Sequence, residues 1–137
     1  MLIDARTGVT ELGGLATTVL ADTVVCMFVA NDESLDGTLA VVEALKSTPR
    51  LANQKSIRVV PVLSRSTVSL IPDARFTSRM LMLLGDGSRF FVLPHDDSIG
   101  TSERLIGVGP NLDSPLYEAY IELLRGLFPG ASPTPSA

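Results

Sequence analysis

Thr23-Val24-Val25-Cys26-Met27-Phe28-Val29-Ala30 is an unbroken apolar, largely β-branched run, and it restricts the fold more than any other segment of the chain. A strand with one face in water alternates apolar and polar residues. A run with no alternation is the pattern of a strand covered on both faces, the usual state of strands in parallel sheets. The run stops at Asn31-Asp32 and falls far short of the roughly 20 residues that span a bilayer.

Helical patterns alternate with further strand patterns on either side of this run. Met1-Leu2-Ile3 reads as the end of a buried strand that delivers Asp4 into Arg6-Thr7-Gly8. Leu12, Leu15, Ala16, Val19 and Leu20 then mark one face of a helix, with Thr10 able to cap its start. Gly13-Gly14 weakens that helix by about 1 kcal/mol per glycine relative to alanine. After the Thr23–Ala30 strand, Asp32 or Ser34 can cap a helix to about Ser47, with Leu35, Leu39, Val42 and Leu45 on one side and Pro49 ending it.

Ile57 to Leu63 is the next strand, where Pro61 removes a ladder donor and so predicts an edge position or a bulge. Ser64 to Pro72 reads as a polar loop, Asp73 to about Leu84 as a helix, and Arg89 to Leu93 as the fourth strand. A weak helical pattern covers Thr101 to Ile106. The last helix has Ser114 as cap, Pro115 in the first turn, and a stripe of Leu116, Ala119, Tyr120, Leu123, Leu124 and Leu127. Residues 129–137 are Pro- and Ser-rich and read as a disordered tail or linker. The pattern predicts an α/β domain over residues 1–128, an open and mostly parallel sheet with helices on both faces.

Composition narrows the function. The 137 residues are 45% hydrophobic, enough for one cored domain. A net charge of −4 without any Lys or Arg cluster argues against nucleic-acid binding through this segment. The lone Cys26 cannot form an internal disulfide, which suits a reducing cytosol, and no basic leader with a cleavage site opens the chain. The expectation is a soluble, cytoplasmic protein.

In open parallel sheets ligands sit at the carboxyl ends of the strands. The candidate residues therefore follow the strands: Asp4 to Gly8, Asn31 to Ser34, Ser64-Arg65, and Pro94 to Asp97. A carboxylate just past a strand can hold a water of Mg²⁺, and a glycine four residues on lets a backbone N–H approach a terminal phosphate. Asp4 and Gly8 have that spacing, although the same residue types also form ordinary turns. Arg6 can reach a phosphate or remain solvated. His95-Asp96-Asp97 lacks the extra His or Cys ligands of a dedicated metal site, and no G-x-S-x-G elbow accompanies the only histidine. The glycine-rich loop ending in Lys-Ser/Thr that cradles phosphates does not occur in the sequence.

Leu2-Ile3-Asp4-Ala5-Arg6-Thr7-Gly8 with Glu11-Leu12-Gly13-Gly14, then Ala21 to Val25 and Phe28 to Gly37, resembles the second half of a ParA/MinD-type P-loop ATPase. More narrowly it is similar to the deviant-Walker branch with a K-G-G-V-G-[KR]-[ST] loop and L-I-D-x-R-T-G at the second phosphate motif. Pro61 to Arg65, Phe91 to Asp96, and the Ser114-Pro115-Leu116-Tyr117 helix fit later parts of that branch. The resemblance implies ATP and Mg²⁺ as cofactors, dimerisation around nucleotide, and hydrolysis used as a timer for a partner protein. It makes Asp4 the magnesium-side catalytic acid and Gly8 the glycine near the γ-phosphate. Ser64 and Arg65 fall at the base-reading position, where many relatives place Asn, and Pro94 contributes by its backbone.

The chain then reads as a partial P-loop fold without the Walker A strand and loop, inactive in hydrolysis until a missing amino-terminal half supplies the cradle. A free sheet edge follows from that, so the isolated chain is expected either to fray at the Asp4 strand or to dimerise through the edge of Thr23 to Ala30. The competing reading is a non-enzymatic α/β module that docks a partner through its sheet edge or a helix face. A phospho-receiver domain has the right layering but lacks its paired acids and lysine.

Overall fold

The computed structural model describes residues 20–49, 56–66, 74–84, 90–97 and 114–130. In chain order these form β1 (Thr23–Phe28), α1 (Asp32–Ser47), β2 (Arg58–Ser66), α2 (Ala74–Leu84), β3 (Phe91–Pro94) and α3 (Pro115–Leu127). The three strands make one parallel sheet in the order β1-β2-β3. The α/β expectation holds for these residues. The predicted first strand and the helix before β1 lie outside them, as do the predicted helix at Thr101–Ile106 and most of the tail.

Alternation along β2 explains the layering. Leu63 joins Phe28 of β1, Leu35 and Val42 of α1, and Phe76 and Met80 of α2 in one buried cluster. Its neighbour Val62 points the other way and, with Val60, packs with Phe91 and Leu93 of β3 and Leu116 and Leu123 of α3. Successive strand residues face opposite sides, so α1 and α2 cover one face of the sheet and α3 the other. Full burial of a Val or Leu side chain contributes about 1.5–3 kcal/mol, and Val62 and Leu35 reach zero exposure.

Local chemistry sets the helix ends. Asn31, rather than the expected Asp32 or Ser34, caps α1, its side-chain oxygen accepting from the Ser34 N–H at 2.7 Å. Asp32 and Glu33 then occupy the first turn, where the helix dipole favours negative charge. Ser34 instead turns its hydroxyl to the Val29 N–H at 3.2 Å, joining the end of β1 to the new helix. α3 begins as its sequence predicts, with Ser114 accepting from the Tyr117 N–H and Pro115 in the first turn.

Pro61 is not at an edge. It sits in the middle strand, paired in register with Cys26 of β1. The physical reason lies in the direction of the amides. Arg58 donates to the Asp22 carbonyl, so residues 58, 60 and 62 direct their amides toward β1, and Pro61 faces β3 instead. The β3 ladder starts only at Val62↔Phe91, so the missing N–H falls just before the first paired residue. The bulge lies further on, between Leu63↔Val92 and Ser66↔Pro94, where Ser64 and Arg65 oppose Leu93 alone. β2 thereby continues through Ser64-Arg65-Ser66, which the sequence reading assigned to a loop.

At Gly126, α3 approaches the sheet closely. A Cβ there would stand 2.2 Å from Cζ of the buried Phe91 ring, and the Gly126 carbonyl accepts from the Arg58 guanidinium at 2.8 Å. Gly126→Ala should therefore lower stability by about 1–3 kcal/mol through overpacking, although alanine is the better helix former by about 1 kcal/mol. Urea unfolding monitored by circular dichroism checks this, and a stabilised variant contradicts the packing argument.

Candidate functional site

Because the strands are parallel, their carboxyl ends share one rim of the sheet. β1 leads there into Asn31 and α1, β2 ends at Ser64-Arg65-Ser66, and β3 ends at Pro94 followed by His95-Asp96-Asp97. Two hydrogen bonds join these tips and a third closes the first of them. Ser64 Oγ donates to the Phe28 carbonyl at 3.2 Å, the His95 N–H donates to the Ser66 carbonyl at 3.0 Å, and the Asn31 N–H closes onto the Val29 carbonyl at 2.8 Å.

Arg65 is the unusual residue of the rim. Its φ of 55° is left-handed, and it is the only non-glycine with a positive φ among the described residues. A side chain in that region costs roughly 1–2 kcal/mol relative to the right-handed region. The bulge imposes it: one extra residue must be absorbed between two ladder pairs, and the left-handed turn absorbs it while leaving Arg65 exposed.

The other rim arginine is committed elsewhere. Arg79 of α2 binds Asp32 at 2.5 Å and also pairs with Asp36, pinning α2 to the first turns of α1. His95 Nε2 lies 2.8 Å from Asp97 Oδ1, with both residues exposed. Among the described residues of the rim, Arg65 is thus the arginine without a carboxylate. No three His, Cys, Asp or Glu side chains gather as a metal site among the described residues.

Of the sequence-derived site residues, Ser64, Arg65 and Pro94 come together at this rim. Asp4 and Gly8 lie outside the described residues. Ser64 has its proton directed at Phe28, so its oxygen remains free only to accept. Pro94 is the last ladder residue of β3, opposite Ser66. Sequence reasoning missed Asn31 as the cap and the Arg79 latch. An Asn directly before Asp-Glu was a cap signal available in the sequence, whereas the Arg79 pairing joins elements far apart in the chain.

Cys26 packs against the α1/α2 core cluster, and burial pushes its thiol above the ordinary range. No helix among the described residues is long and apolar enough to cross a membrane. Comparison of the chain with models of protein families, with curated proteins and with solved structures finds no match.

Two outcomes follow for this region. Arg65→Gly should stabilise the fold by about 1 kcal/mol, since glycine adopts a positive φ without steric cost; denaturant midpoints that fall instead would show that the arginine side chain supports the bulge. The second concerns pH. As pH rises, the Cys26 thiol of the unfolded chain ionises before that of the native chain, so native stability is intact below the unfolded pKa and declines above it. Cys26→Ala should remove this decline of stability above the unfolded thiol's pKa, read by urea unfolding as the pH is raised.

Proposed function

We propose that these residues form the carboxyl-terminal portion of a nucleotide-dependent switch of the ParA/MinD type, a P-loop ATPase-like domain whose bound ATP and Mg²⁺ set its state toward a partner protein. The observation that carries this reading is the exposed, conformationally strained Arg65 at the tip of the central parallel strand, beside the Ser64 oxygen. Strained backbone clusters at binding sites, and the carboxyl ends of parallel strands are where such sites form, so a strained, exposed arginine there supports the reading.

In this reading Arg65 stacks on or hydrogen-bonds the base, and Ser64 accepts from an exocyclic amine, the one role its committed proton leaves open. Pro94 offers only its carbonyl. Asp4 holds the magnesium side and Gly8 lies near the terminal phosphate. When bound, Mg²⁺ would neutralise phosphate charge. The sequence contains no Lys-bearing glycine loop, so a phosphate cradle has to come from a further polypeptide segment, and hydrolysis by these residues alone is negligible.

One observation favours the second reading, a non-enzymatic interaction module: β1 leaves Val25 and Met27 exposed on the sheet face that α3 covers elsewhere.

Amide shifts of the ¹⁵N-labelled chain titrated with Mg-ATP separate the two. The nucleotide reading expects saturable shifts at Arg65, Ser66 and His95, with a Kd on the order of 1 mM because the phosphates lack their cradle, and a several-fold weaker response in Arg65→Ala. No shift at the rim with about 10 mM nucleotide, or shifts confined to the opposite end around Arg58 and Gly126, overturns it.

A further inference from the structure

We draw no further inference here: the strongest candidate, the apolar surface patch of Val25 and Met27 on the face of the sheet that α3 covers elsewhere, carries nothing, because nothing in the structure shows what covers it.

Discussion

The double-sided burial of β2 is the constraint on which the other elements depend. Val60 and Val62 belong to the α3 side, Leu63 to the α1/α2 side, and the strand has a hydrogen-bonded neighbour on each edge. A strand so placed has no polar face to spare. Both helical layers must be present, and the connections that carry them must run outside the sheet, which leaves the strands parallel. α1 and α2 share a face because each links one strand to the next in the same direction, and right-handed crossovers in one direction fall on one side. α3, which follows the last described strand, lies on the other.

The same constraint produces the rim. Parallel strands end together, so the residues that leave them are gathered without any need to be close in sequence. The bulge between Leu63 and Ser66 then places Arg65 at the end of the most buried strand, in a backbone conformation that its own side chain disfavours. The result is an exposed cation at the rim of the sheet. Arg79 cannot substitute for it, because Asp32 and Asp36 already hold that guanidinium.

Legibility varied with the range of the interactions responsible. α3 was readable almost residue by residue, since Ser114, Pro115 and the leucine stripe act within a few positions of one another. The existence of β1 was equally clear from its unbroken apolar run. Pro61 misled, because a ladder donor matters only where a neighbouring strand has begun, and that is a property of register. The Ser64–Ser66 segment misled for a related reason: polar residues there are held in the strand by the Phe28 carbonyl and the His95 amide, both remote in sequence. Nothing in an Arg signals a left-handed φ, whereas a Gly or Asn would have done so.

Of the candidate site, the sequence could nominate Ser64, Arg65 and Pro94 as strand-end residues, and the fold brought those three to one rim. The amino-acid order by itself determined which segments are strands and helices and which of their faces are apolar, because propensity, capping and periodicity are local. Only the tertiary structure decided the strand order, the central place of Pro61 and the strained exposure of Arg65. Those depend on which backbone amides and carbonyls meet across the sheet, and distant residues share that choice.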